Sequence, residues 1–203
     1  MTEKKLTGDL ERFSYALGMR IASDLIKSGV KTINPEAFVK ALNDTFVGEI
    51  PEIMRDEAQR ILASFTQQTN SETADENLRK GFEFLSENSF KKGVTELPSG
   101  LQYKILKVGK GKTPAFTDNV KCHYHGSIID GTVFDSSVDR GQPAVFPVNG
   151  VIHGWVEALQ MMPVGSKWRL FIPPELGYGE QGAGEAIEPN STLIFDVELL
   201  EII

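Results

Sequence analysis

The sequence predicts an all-α N-terminal region followed by an α+β domain in which an antiparallel β-sheet wraps on one short helix. Three observations carry this prediction. Of 19 Gly and 10 Pro, residues 1–93 hold 6 and 2, whereas residues 94–203 hold 13 and 8. Few breakers permit long helices, and many mark short strands and turns. Apolar residues recur at helical spacing in the first region and alternate with polar ones in the second. Both Trp, at 155 and 168, lie in the second region, so the boundary falls near Gly93–Ser99.

The first region reads as two short helices and one long one. Asp9 can cap a helix from Leu10 to about Lys27, ended by Gly29. Leu10, Phe13, Leu17, Ile21 and Leu25 form one stripe, and Tyr15, Met19, Ala22 and Ile26 a second. A helix apolar on two sides must be covered on two sides. The next helix starts at Asn34 as cap and Pro35 in the first turn, where its missing N–H costs nothing. It carries Phe38, Leu42 and Phe46. Two such short helices cannot bury both stripes alone, so residues 1–50 read as a dimerisation region; packing on the C-terminal domain is the alternative. The third helix spans 51–93, from Pro51 to Lys92, closed by Gly93. Its middle, TQQTNSETADEN, is polar almost all round and reads as a solvated bridge or a break.

Strand signals fill residues 94–203. LQYKILK (101–107) alternates, and NVKCHYHGSII (119–129) runs into the hairpin signal Asp130-Gly131 and then TVFDSS. AVFPV (144–148), KWRLFIP (167–173) and TLIFDVELLEI (192–202) supply three more strands. The one helical stretch, VIHGWVEALQM (151–161), places Val151, Trp155 and Leu159 on one face, which must lie on the apolar side of the sheet for Trp155 to be covered.

Composition excludes several function classes. Net charge is −7 and no basic patch is visible, against nucleic-acid binding, which rests on Lys and Arg contacts to phosphate. The single cysteine, Cys122, allows no internal disulfide and reads as a small buried hydrophobe. The start, MTEKKLTGDLE, shows no signal peptide, and no segment approaches a membrane span. Cytoplasm is the expectation, or the periplasm or a membrane-attached state if a leader was removed.

The usual catalytic sets are missing. His123 and His125 share a strand face, but no third ligand accompanies them, so they read as a solvated pair with no metal. GYGEQGAGEA (177–186) lacks the Lys-Ser/Thr of a phosphate loop and reads as a mobile loop. What remains is a set of aromatic and apolar residues beside turns: Tyr124, Phe134, Val151, Ile152, Trp155, Tyr178, Ile187 and Phe195. Trp168 and Phe171 read as core. Tyr178 stands between two glycines in a loop, a setting typical of contact residues.

With these residues the sequence resembles a known family. YHGSIIDGTVFDSS (124–137), VIHGWVEALQMMPVGSKWRLFIPPELGYGEQG (151–182) and IEPNSTLIFDVELLEI (187–202) resemble, in order, the FKBP-type peptidyl-prolyl isomerases over nearly all of 94–203. More loosely, FSYALGMRIASDLIKSGV, NPEAFVKALNDTFVG and the long helix ending near FLSENSFKKGV resemble the N-terminal part of Mip-like bacterial members. The resemblance implies an isomerase that rotates Xaa-Pro bonds in unfolded or partly folded proteins without a cofactor, and a homodimer made by intertwined N-terminal helices. It places Trp155 at the floor of a proline pocket, with Tyr124, Phe134, Val151, Ile152 and Phe195 as walls. Tyr178 would stand at the rim, Asp135 beside the reacting carbonyl with Arg140 as its charge partner, and Ile187 would close one side. It also implies macrolide inhibitor binding. Ala144, Ala183 and Ala186 depart from the pattern where many or some members carry larger residues, and imply a wider, less covered pocket. A chaperone that cradles unfolded chains, or an adaptor for a fixed proline motif, are the alternatives to an enzyme.

Overall fold

Local signals set the helix ends. The computed structural model describes residues 6–30, 32–184 and 186–203. The first five residues, read above for a leader, and Glu185 of the glycine-rich loop lie outside them. Two compact units are present, Met1–Ser71 and Glu72–Ile203. The first holds α1 (Asp9–Lys27) and α2 (Pro35–Val47). Gly8, not Asp9, is the cap of α1: the Glu11 carboxylate reaches back to accept from the Gly8 N–H at 3.3 Å, and Asp9 moves into the first turn, where its charge suits the helix dipole. The start of α2 is as expected, with the Asn34 side chain accepting from the Ala37 N–H at 3.0 Å and Pro35 in the first turn. Helix α3 runs from Arg55 to Ser89, shorter at both ends than 51–93 but unbroken through the polar stretch.

The second unit contains residues 72–89 of α3, seven strands and one short helix. The strands are β1 (Val94–Glu96), β2 (Gln102–Lys107), β3 (Asn119–Ile128), β4 (Val133–Ser136), β5 (Ala144–Pro147), β6 (Lys167–Ile172) and β7 (Leu193–Ile202). They form one antiparallel sheet in the order β1-β2-β6-β7-β3-β4, with β5 also paired to β3. The sequence signals all became strands; β1, only three residues long, had none. At the β3–β4 turn Gly131 takes φ 91°, and the Asp130 carboxylate accepts from the Thr132 N–H at 2.8 Å.

Side-chain alternation decides what each face of the sheet carries. Along β3, Val120, Cys122, Tyr124 and Gly126 are buried, while Lys121, His123 and His125 face the other way. Leu193, Phe195, Val197 and Leu199 of β7 and Trp168, Leu170 and Ile172 of β6 join the same core. Helix α4 (His153–Leu159) covers that core with Gly154, Trp155, Ala158 and Leu159 buried. It lies close: a Cβ on Gly154 would stand 2.7 Å from Cγ2 of Ile172. Phe171 and its register partner Gln102 belong to the opposite face. There residues of α3 cover them: Phe84 meets Phe171 at 6.0 Å between ring centroids, and Asn88 donates to the buried Gln102 side chain at 2.9 Å. The sheet is therefore covered by a helix on each face.

Candidate active site

Five elements (β3, β4, β5, β7 and α4) and one irregular loop enclose an open cleft of about 550 Å³. Trp155, in the first turn of α4, is its floor and is only 4% exposed. Three rings meet the indole edge to face: Tyr124 of β3 at 5.6 Å, Phe146 of β5 at 5.8 Å and Phe195 of β7 at 5.3 Å. Edge-to-face contact suits the ring quadrupoles and fixes the floor without filling the space above it. The indole Nε1 is buried without a hydrogen-bond partner among the described residues. Val151 and Ile152, just before α4, and Phe134 of β4 complete the walls.

The far wall is the loop after β6. Two short 3₁₀ turns, Pro174–Leu176 and Gly179–Gln181, flank Tyr178, which is 39% exposed at the rim. Ile187 is buried and held by a reciprocal backbone pair with Ala183, at 2.8 and 3.2 Å. Ala183, Gly184 and Ala186 line the cleft beside it, and their small size leaves that side open.

One polar group marks the apolar wall. The Tyr124 hydroxyl donates to Asp135 at 2.5 Å, and Arg140 donates to the Tyr124 oxygen at 2.8 Å and to the other Asp135 oxygen. Burial by itself would push the Asp135 carboxyl up, but the Tyr124 and Arg140 hydrogen bonds outweigh it and hold the carboxyl below the usual aspartate range. Burial, with the neighbouring Asp135 carboxylate, raises the Tyr124 phenol. At neutral pH the group is therefore an ionised Asp135, a neutral Tyr124 and a charged Arg140, with no proton poised for transfer.

Nine of the ten residues singled out in the sequence line the cleft: Tyr124, Phe134, Asp135, Val151, Ile152, Trp155, Tyr178, Ile187 and Phe195. Arg140 does not; its guanidinium lies over the Tyr124 ring at 5.6 Å and reaches the cleft through Tyr124 and Asp135. Phe146 was missed. Ala144 drew attention as a small residue, and strand alternation places Phe146, two positions on, on the same face. It supplies an aromatic wall to the cleft.

The remaining candidates fall outside. His123 and His125 are half-buried, each with Nδ1 at hydrogen-bond distance from a serine, Ser137 at 3.1 Å and Ser136 at 3.0 Å. Among the described residues no group of three or more His, Cys, Asp or Glu is placed to hold a metal ion. Cys122 is fully buried, and burial pushes its thiol up to about 12, so it is inert at neutral pH. No helix among the described residues is long and apolar enough to cross a membrane.

Comparison with known proteins agrees with this geometry. Residues 110–200 match the family model described as FKBP-type peptidyl-prolyl cis-trans isomerase, and residues 10–105 match the domain amino terminal to it. The FKBP-type 22 kDa peptidyl-prolyl cis-trans isomerase of Escherichia coli K12 is 48% identical over 193 residues, 94% of each chain. The outer membrane protein MIP of Legionella longbeachae is 40% identical over 97% of this chain and 87% of its own. Among solved structures, FkpA from Escherichia coli aligns over 98% of both chains at 34% identity, with a TM-score of 0.72. Rotation about a bond needs no nucleophile, and the likeness extends over almost the whole chain: the protein belongs to the FKBP-type peptidyl-prolyl cis-trans isomerases and is an isomerase of that class.

Proposed function

We propose that Xaa-Pro bonds rotate in the cleft above Trp155, with the prolyl ring on the indole. Amide resonance sets a rotation barrier on the order of 20 kcal/mol, so uncatalysed exchange takes tens of seconds or more. No bond is broken, and no general base is needed. The twisted imide has lost resonance and is less polar than the planar form. A site walled by Tyr124, Phe134, Phe146 and Phe195 therefore favours the twisted form relative to the planar one. Trp155, Val151 and Ile152 hold the ring by shape, the Tyr178 hydroxyl hydrogen-bonds the substrate backbone, and Asp135 lies beside the turning carbonyl, kept ionised by Tyr124 and Arg140. The observation that carries this reading is an open cleft whose floor is a buried indole. NMR exchange spectroscopy on an Xaa-Pro peptide, with protein well below the peptide concentration, tests it. Tyr178→Phe should slow the catalysed exchange about fivefold, the cost of one hydrogen bond of about 1 kcal/mol. An unchanged rate would remove Tyr178 from the mechanism.

We infer further that residues 1–50 pair two copies of the chain. Within the first unit, Leu10 is 76% exposed and Phe46 84%, and Phe13, Tyr15, Met19 and Ile26 are also exposed. Large apolar patches on an isolated unit mark interaction surfaces. Sedimentation at micromolar concentration should find a dimer for the full chain, and Phe13→Glu with Phe46→Glu should shift it to monomer; a full chain that sediments as a monomer would contradict the pairing. Such a dimer has two clefts and suits binding of unfolded chains, so chaperone action accompanies the isomerase reading; suppressed aggregation of a proline-free client would separate the two. The permissive lip, with Ala183 and Ala186, disfavours an adaptor for one fixed motif, and its openness argues for weak macrolide binding. For location, the relative named as an outer membrane protein favours the periplasmic or membrane-attached alternative over the cytoplasm.

A further inference from the structure

The loop that walls the cleft is tied to a helix outside it. The loop is irregular, and its internal ties include the Ala183–Ile187 backbone pair, Asn190 N–H to the Gly179 carbonyl at 2.8 Å, and the Ser191 hydroxyl to the Glu188 carbonyl at 2.7 Å. Asn190 has φ 55°, the one positive φ at a non-glycine among the described residues. A left-handed residue persists when neighbours hold it. The neighbour is α3, whose Ala74 carbonyl accepts from the Asn190 side chain at 3.5 Å. Asn77 Nδ2 donates to the Glu188 carboxylate at 3.1 Å and to the Pro189 carbonyl at 3.0 Å, the two residues directly after Ile187. One turn on, Gly81 lies against the chain just past the loop: a Cβ there would stand 2.3 Å from Thr192 Oγ1. Asn77, Gly81, Phe84 and Asn88 recur at spacings of 4, 3 and 4, one face of the helix, and this face docks on the sheet.

We propose that Asn77 is a positioning residue for the cleft: through Glu188 and Pro189 it holds the Ile187 wall in place, so that α3 sets how tightly a proline substrate is bound. This rests on the reading of the cleft as the substrate site. Asn77 touches no substrate. Its effect passes through the backbone at 188–189 to Ile187, which makes it an effect on binding and not on the floor where the imide turns. Local helix propensity does not explain the residue, since Asn is a poor helix former.

Charge reversal across the latch separates positioning from simple helix support. Asn77→Asp removes both donors and sets a carboxylate against Glu188. It should raise KM for an Xaa-Pro peptide roughly threefold to tenfold, with a smaller change in kcat. Adding Glu188→Lys replaces repulsion by an ion pair at 188 but leaves the Pro189 carbonyl without its donor, so it should reverse at least half of the rise in KM. The Ile187 methyl signals should shift and broaden in Asn77→Asp and recover in the double variant. A KM unchanged by Asn77→Asp, or raised and not lowered again by Glu188→Lys, would overturn the proposal. In the parent protein the Ile187 methyls should also respond to added peptide. If they respond and the KM results fail, the latch is wrong and the cleft reading stands; if they do not respond, the cleft reading itself fails.

Discussion

Replacing Trp155 by leucine should lower kcat/KM for an Xaa-Pro peptide by about tenfold or more. The indole is buried beneath the cleft and meets the rings of Tyr124, Phe146 and Phe195 edge to face. Leucine is smaller, and cannot offer a flat face to a prolyl ring. Each 1.4 kcal/mol of lost preference for the twisted imide is a factor of ten in rate. The same change leaves a void, and large-to-small core substitutions cost on the order of 2–5 kcal/mol. The protein should melt at lower temperature while its β-sheet circular dichroism persists below the transition. Exchange spectroscopy at a temperature where the variant is folded gives the catalytic effect alone. Full activity there would mean that the prolyl ring is held elsewhere.

Gly126→Ala should be nearly as damaging, although alanine is ordinarily harmless in a strand. Gly126 lies in β3 opposite Asp135 and Phe195, on the buried side. A Cβ there would stand 2.6 Å from Phe195 Cε1 and 2.7 Å from Phe134 Cε2. Real carbon contacts do not come so close, so both rings must swing, and both are cleft walls that already meet edge to face at 5.3 Å. Overpacking of this kind costs about 1–3 kcal/mol of stability. Displaced into the cleft, the rings should reduce kcat/KM about tenfold, mainly through a higher KM. Thermal unfolding and steady-state kinetics on the variant check both effects. Unchanged kinetics would show that the two rings are not walls of the working site.

These expectations rest on features that were unequally visible in the sequence. Where one residue's chemistry fixes the backbone, the reading held: Asn34-Pro35 opens α2, and Asp130-Gly131 turns β3 into β4. The alternation of β3 gave the opposite facings of Tyr124 and the two histidines, because a strand has a period of two whatever it pairs with. Features that depend on a partner distant in sequence were hidden. β1 is three residues long and is defined by its pairing with β2, not by a pattern of its own. Phe146 becomes a cleft wall only once β5 is registered on β3. Arg140 pairs with Asp135, but its position over the Tyr124 ring, outside the cleft lining, could not be read from the sequence. Pro51 suggested the start of α3, but the helix begins at Arg55. The docking of residues 77–88 on the sheet could not be read either, since Asn77, Gly81 and Asn88 look like weak helix formers until Glu188, Thr192 and Gln102 are seen opposite them.

Intermolecular nuclear Overhauser effects between an Xaa-Pro peptide and the protein give the most direct test of where the proline turns. Protons of the prolyl ring should show cross-peaks to the Trp155 indole and to the rings of Tyr124 and Phe195, and these should vanish in Trp155→Leu. Cross-peaks confined to the exposed rings of Phe82 in α3 and Phe90 just after it, with none to Trp155, would contradict it.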